Sequence, residues 1–144
     1  MDEAREWVAR AAIAELITRY AALNDAGDWE AVAGLYTEHA RMNRPTAPEH
    51  FIEGREAILA SFRARPARAS RHVIANVLVT LEGETRARAR SQILLFLGTP
   101  ADDGGLPHLA AAPPLIGTYE DVLVKTASGW RFAERRGTLD FRAS

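Results

Sequence analysis

Asp25 is the first residue along the chain whose surroundings suit chemistry. It sits in the run Leu23-Asn24-Asp25-Ala26-Gly27-Asp28-Trp29, where one apolar-periodic stretch breaks off and a second begins. Two helices meeting at a sharp corner give that pattern, with Gly27 making the turn and Asp28 capping the second helix. A carboxylate held there among bulky apolar neighbours is either a solvated turn residue or the acid/base group of a pocket. Tyr20 lies one and a half helical turns earlier, so its hydroxyl can reach the same space, or its ring can simply join the core. His72 is the imidazole of interest, because a neutral imidazole is the natural base near neutral pH. Taken alone it is either a structural side chain or a catalytic one. The remaining histidines, His39, His50 and His108, have no ligand spacing to one another or to paired carboxylates, so no metal site is expected. The chain has no cysteine, which removes thiolate nucleophiles, disulfides and Cys-ligated zinc together. Asp103-Gly104-Gly105 has no helix behind it and is no phosphate loop, and no Ser/His/Asp nucleophile arrangement can be read. No cofactor is expected.

The elements that must position these residues follow from periodicity. Trp7, Ala11, Ile13, Leu16, Ile17, Tyr20 and Leu23 recur at helical spacing from Asp2 to Leu23, in a stretch rich in Ala and Glu. Asp28 to Tyr36 reads as a short second helix and Glu38 to Asn43 as a short strand. Pro45 and Pro48 then break regular structure, because each lacks a donor and fixes its φ. Glu53 to Phe62 reads as a third helix, stopped by Pro66. Beyond it the period changes to two. Strands are predicted over Arg71–Leu81, Thr85–Leu97, Ile116–Thr126 and Trp130–Phe141. Glu82-Gly83-Glu84 and Ala127-Ser128-Gly129 make the turns, and Gly98–Pro114 is a loop. With no linker or internal repeat, residues 1–144 form a single α+β domain. One face of the sheet needs covering and only the helices can cover it. A curved sheet folded around three N-terminal helices makes an open cone with a ligand-sized interior.

Composition bounds the partners. The 144 residues carry 18 basic and 19 acidic side chains, a formal net charge of -1, so there is no field to attract nucleic acid or an anionic membrane surface. Arg86, Arg88 and Arg90, spaced by two, read as the solvent face of a strand. The charged start Met1-Asp2-Glu3-Ala4-Arg5-Glu6 is no signal peptide, and no window approaches a membrane span. With no cysteine, a reducing cytoplasm is the expected location. Val77, Val79, Ile93, Leu95, Val122 and Val124 suggest an apolar outer sheet face, hence a homodimer or homotrimer.

Several short motifs occur in a telling order: Asn24-Asp25-Ala26-Gly27-Asp28-Trp29-Glu30 between helices, Phe51-Ile52-Glu53-Gly54-Arg55-Glu56-Ala57-Ile58, Arg71-His72-Val73-Ile74-Ala75-Asn76, and Gly129-Trp130-Arg131-Phe132. This order resembles the SnoaL-like branch of the nuclear transport factor 2-like superfamily, over nearly the whole chain. That group includes polyketide cyclases, scytalone dehydratase and bile-acid dehydratase. The resemblance implies a cone-shaped α+β barrel, three N-terminal helices packed in a strongly curved antiparallel or mixed sheet. It also implies roles. The dehydratases of the group use an Asp at the first helix corner and a His opening the strand after the third helix, which fall on Asp25 and His72. The bile-acid enzyme adds a Tyr and an Arg, which fall on Tyr20 and on Arg135, or on Arg136 after a slip of one. The second histidine of scytalone dehydratase has no counterpart in Gln92-Ile93-Leu94-Leu95-Phe96-Leu97, and its substrate-binding Ser and Asn have none around Thr118 and Tyr119.

With Asp25 facing His72 across a closed cavity, the carboxylate would fix the tautomer and stabilise the imidazolium formed on proton abstraction. Arg135 would hold a substrate carboxylate or an enolate oxygen, or else sit on the strand surface paired with Glu134 or Glu120. Trp29, Tyr36, Phe51, Phe62, Phe96 and Tyr119 are candidate cavity walls, and Asn76, four residues after His72, is placed to reach the pocket from the same strand face. The resulting expectation is a dehydratase, isomerase or cyclase acting on an apolar polyketide-, steroid- or aromatic-like substrate. The alternative is a non-catalytic small-ligand or partner-subunit module of the same fold.

Overall fold

The computed structural model describes residues 1–142. Helix α1 runs Glu3–Ala26, opened by Asp2, whose carboxylate accepts the Arg5 N–H at 2.8 Å. It ends on Gly27 at φ 71°, whose N–H returns to the Asn24 and Leu23 carbonyls. A side chain there would be strained, so glycine sets the corner. Asp28 caps the short helix α2, Trp29–Ala33, by accepting the Ala31 N–H. The rest of the predicted second helix is not helical: Leu35 leads directly into strand β1, Tyr36–Arg44.

Strand β2, Ala47–Glu53, forms where the two prolines predicted a break. It is an end strand of the sheet, where a missing donor costs no ladder bond. Helix α3 spans Arg55–Arg63, and four long strands follow: β3 (Ala69–Leu81), β4 (Arg86–Thr99), β6 (Leu115–Thr126) and β7 (Gly129–Leu139). The long loop holds only the two-residue β5, His108–Leu109, paired to β4. The sheet order is β2-β1-β7-β6-β4-β3, antiparallel except where β1 runs parallel to β7. A strongly curved mixed sheet wraps the helices, as the sequence predicts.

The core lies between α1, α2, α3 and the concave face. Ile13, Ile17, Val32, Tyr36, Ile58, Phe62, Leu123 and Phe132 are fully buried there. On the convex face Arg86, Arg88 and Arg90 are exposed while Ala87 and Ala89 are buried, the alternation expected of a one-sided strand. The predicted apolar outer face is not built as expected. Val77 and Val79 pack against the core, and Ile93 and Leu95 face inward over the cavity. Only Val122 and Val124 lie outward, opposite Arg88 and Arg86.

Ile93 and Leu95 continue the inward alternation of Ala87 and Ala89 on β4, whereas for Val77 and Val79 the reason is a β-bulge. Ile74 pairs with Ile93, and Leu78 pairs with Arg90, with the register slipping between Ala75 and Leu78. Asn76 sits in the slip at φ 52°, the only non-glycine at positive φ among the described residues. The extra residue flips the alternation, so that His72, Ile74, Val77 and Val79 all turn inward. Among the described residues no helix is long and apolar enough to cross a membrane.

Candidate active site

Asp25 is carried on the last turn of α1, and Ser70 and His72 on the opening residues of β3. The Gly27 corner and the α3–β3 connection bring them together. The Asp25 carboxylate accepts three hydrogen bonds: from the Ser70 hydroxyl at 3.0 Å, from the His72 backbone N–H at 2.9 Å, and from His72 Nδ1 at 2.5 Å. Both side chains are nearly enclosed, His72 4% and Asp25 11% exposed. Facing a carboxylate oxygen, Nδ1 must carry the proton, which leaves Nε2 with its lone pair for a ligand. Burial pulls the His72 pKa below that of an ordinary imidazole. The Asp25 hydrogen bond and charge oppose the shift, and the cations Arg68 and Arg65 add to it. The imidazole is therefore neutral, the state a base needs.

His72 borders a cavity of about 320 Å³, within the range of small-molecule sites. Met42, Ile93, Leu95, Leu115 and Leu139 make its apolar walls, and Tyr20 and Tyr119 contribute hydroxyl-bearing rings. The turn between β1 and β2 closes one side with Pro45 and Thr46. That turn is tied down by buried Asn43, whose side chain donates to the Pro48 carbonyl and accepts the Gly137 N–H. The Tyr20 and Tyr36 hydroxyls meet at 3.1 Å, and Tyr36 Oη also lies 3.4 Å from Met42 Sδ; with the Tyr36 proton given to Tyr20, the Tyr20 O–H is free to donate. Burial pushes the Tyr119 phenol up to about 12, against the pull of Arg135, so it too remains a neutral donor.

Arg135 is the inward residue of the Arg135–Arg136 pair, with none of its surface exposed. Arg136 is exposed and pairs with Glu134. Arg135 does not reach the cavity, however. Its guanidinium lies beneath the lining rings, 4.3 Å from the centroid of Tyr20 and 3.8 Å from that of Tyr119. Its Nε is 3.1 Å from the Asp121 carboxylate, so neither the expected substrate contact nor the surface pairing with Glu134 or Glu120 is found. Two buried tyrosine faces and a buried carboxylate compensate the charge instead. Arg135 is held charged by Asp121 and the tyrosines, while burial lifts the Asp121 carboxyl to about 6 against the Arg135 attraction. The close contact favours the ion pair at neutral pH.

Of the candidate wall residues, Tyr119 lines the cavity and the others do not. Tyr36 and Phe62 are core, and Trp29 stacks on Phe62 at 5.5 Å behind the cavity wall. Phe51 lies on β2 with Arg41 3.8 Å above its ring. Phe96 follows inward Leu95 and pairs with exposed Arg71, so strand alternation turns it away. Asn76 is displaced by the bulge and bonds Gln92 on the exposed side. The sequence reading missed Ser70, whose signal was its spacing of two from His72 on one strand face. It also missed Arg44, Arg65 and Arg68, all of which border the cavity.

An α+β cone with an apolar cavity, bordered by an imidazole that a carboxylate holds from behind, defines the class of protein. The chain belongs to the SnoaL-like domain family, whose profile matches residues 5–136. Among solved structures it is similar to a scytalone dehydratase candidate from Novosphingobium aromaticivorans, with 22% identity, TM-score 0.81, and 99% of this chain and 95% of that one covered. It is also similar to a nuclear transport factor 2-like protein with a cystatin-like fold from the same species, at 26% identity and TM-score 0.77 over 97% and 87% of the two chains. A type 2 hexachlorocyclohexane dehydrochlorinase superposes with TM-score 0.78 at 15% identity, over 97% and 90% of the chains. No curated protein matches the chain in sequence.

Proposed function

We propose that the protein is a cofactor-independent lyase- or isomerase-type enzyme that moves a proton on an apolar, ring-bearing carbonyl substrate of polyketide, steroid or aromatic type. His72 is the base. Its Nε2 takes a proton from the carbon next to the carbonyl, and the C–H electron pair passes into the enolate. Asp25 holds the imidazole in the productive tautomer and stabilises the imidazolium. A tyrosine hydroxyl, from Tyr20 or Tyr119, donates to the enolate oxygen. The proton on His72 then returns to carbon, giving isomerisation, or goes to a β-hydroxyl that departs as water, giving dehydration. Cyclisation follows if the enolate carbon instead attacks a second carbonyl in the same molecule.

The observation that carries this reading is the 2.5 Å Asp25–His72 contact at the wall of an open apolar cavity. A partner-subunit module of this fold, with no ligand to hold, would instead fill the cavity with Phe and Leu side chains and turn His72 to solvent. Elimination, the class for which two of the structural neighbours are named, requires the same kind of base.

The test is exchange of the α-hydrogens of a bicyclic ketone, 2-tetralone, in deuterated buffer followed by NMR. Wild type should accelerate exchange, and His72→Ala should lose about 10²–10⁴ of that rate with the fold intact. The acid limb of the wild-type profile should fall below the ordinary imidazole pKa of about 6.5, since His72 is shifted downward. Exchange by His72→Ala at the wild-type rate would rule the mechanism out.

A further inference from the structure

Three arginines, Arg44, Arg65 and Arg68, border the cavity, and no acidic side chain among the described residues lines it. Arg44 closes β1, while Arg65 and Arg68 lie in the connection between α3 and β3. Nearby arginines are accounted for elsewhere: Arg63 pairs with Glu30, and Arg71 is exposed. The cavity-facing three are not neutralised. Arg44 donates one N–H to the Ser61 carbonyl at 2.8 Å, and its Nε is buried without a partner. Arg65 donates only to the neutral Asn24 amide oxygen at 3.1 Å. Arg68 is itself exposed at the cavity rim and has neither an ion pair nor a hydrogen bond among the described residues. Asp25, whose charge is felt at Arg68, already accepts from Ser70 and twice from His72.

The cations are also crowded. Arg44 and Arg65 share the ring of Phe62, their guanidinium carbons 6.0 Å and 4.6 Å from its centroid. Burial together with Arg44 and Arg68 lowers the Arg65 guanidinium to about 10. Like charges gathered beside a partly enclosed space, with an orphaned buried N–H among them, lack a counter-charge that a ligand can bring. The planar, multidentate donors of arginine match a carboxylate.

We infer that the substrate is an organic acid, with a carboxylate seated among Arg44, Arg65 and Arg68 and its apolar ring body against Ile93, Leu95 and Leu115. This inference rests on the cavity being the substrate site. The arrangement fixes orientation: the anion docks at the arginine side and the reacting carbon lies toward His72. An overall charge near zero hides this local field, because the acidic residues lie elsewhere.

The test is binding rather than turnover, so it does not depend on the proton-transfer step. Calorimetric affinities are compared for 2-naphthoate and its neutral isostere 2-naphthamide, at low and high sodium chloride. The acid should bind about 10–100-fold tighter, the worth of charge-assisted hydrogen bonds, and should weaken with salt while the amide does not. Arg65→Met and Arg44→Met should erase most of that preference. Arg68→Gln breaks no internal contact, cannot be dismissed as misfolded, and should lower it several-fold. His72→Ala should keep the preference even where exchange activity is lost, which separates this inference from the proton-transfer reading. Equal affinity for acid and amide would overturn it, as would a preference that survives all three arginine substitutions. Loss of the preference in His72→Ala alone would overturn it too, by assigning the anion to the imidazole.

Discussion

Asp25→Asn is the most informative single change, because the three hydrogen bonds at Asp25 cannot all survive it. The carboxylate has two acceptor oxygens, one facing Ser70 and His72 Nδ1 and the other facing the His72 backbone N–H. Asparagine offers one oxygen and one NH₂. If the oxygen keeps Ser70 and Nδ1, the NH₂ meets the His72 backbone N–H, donor against donor. If the amide flips, the backbone bond is kept but NH₂ faces Nδ1, and the imidazole must move its proton to Nε2. The first outcome preserves a weaker base, and the second destroys it. Either way charge-assisted bonding is lost, worth about 1.5–3 kcal/mol, and in the first arrangement a buried donor is left opposed as well. A destabilisation of about 2–4 kcal/mol follows, or roughly 6–12 °C in Tm for a chain of this size. The His72 pKa, already below that of an ordinary imidazole, should fall further, because both contributions that raise it come from Asp25. Long-range ¹H–¹⁵N NMR of the imidazoles reads tautomer and titration without a substrate, and His72→Ala assigns the signal. A His72 in Asp25→Asn with unchanged tautomer, unchanged midpoint and unchanged Tm would refute the coupling.

Other substitutions test the supports of the site. Arg135→Met leaves the Asp121 carboxylate buried and unpaired and should cost about 3–5 kcal/mol by urea denaturation, most of it recovered in Arg135→Met/Asp121→Leu. Burial raises the folded-state pKa of Asp121. Arg135 holds that pKa down, so in Arg135→Met it rises above about 6. Neutral Asp121 needs no partner, so the deficit of Arg135→Met should be full only at alkaline pH and narrow as pH falls toward about 6, where Asp121 is protonated in both proteins. Asn76→Val forces a β-branched residue to positive φ and should cost about 1–2 kcal/mol, whereas Asn76→Gly should be close to neutral. Equal stabilities for those two variants would contradict the bulge geometry.

The helical corner at Gly27 and the change from helical to two-residue periodicity after Pro66 were legible because local chemistry dictates them. Strand β2 was not, because Pro45 and Pro48 look like breakers until the strand is known to lie at the end of the sheet. Asp25 and His72 are forty-seven residues apart, and nothing local announces their contact. Their pairing was foreseen only through the family pattern. The sequence left Arg135 either inward or on the strand surface, with Arg136 as its alternative; its attachment to Asp121 depends on β6 and β7 register, with Asp121 directly opposite it. Arg65 and Arg68 carry no site signal in the sequence, because the turn of the α3–β3 connection sets their direction and their side chains do not. Asn76 and Phe96 were misplaced for different reasons. Alternation counted along a strand gives the right face only while the ladder is regular, and it was the bulge that moved Asn76 outward, whereas Phe96 was assigned without its register partner.

The slip at Asn76 makes β3 two strands in mechanical terms. The half before it carries His72 and Ile74 and shapes the cavity, and the half after it carries Val77 and Val79 and holds α1. One residue of slack between them means that insertions or substitutions remodelling the first half need not propagate into the second. A fold built this way can change what it accepts at the open end of the cone while its helix-bearing end stays fixed. Deleting Asn76 would remove that independence, forcing one half of the strand to present its wrong side to the interior.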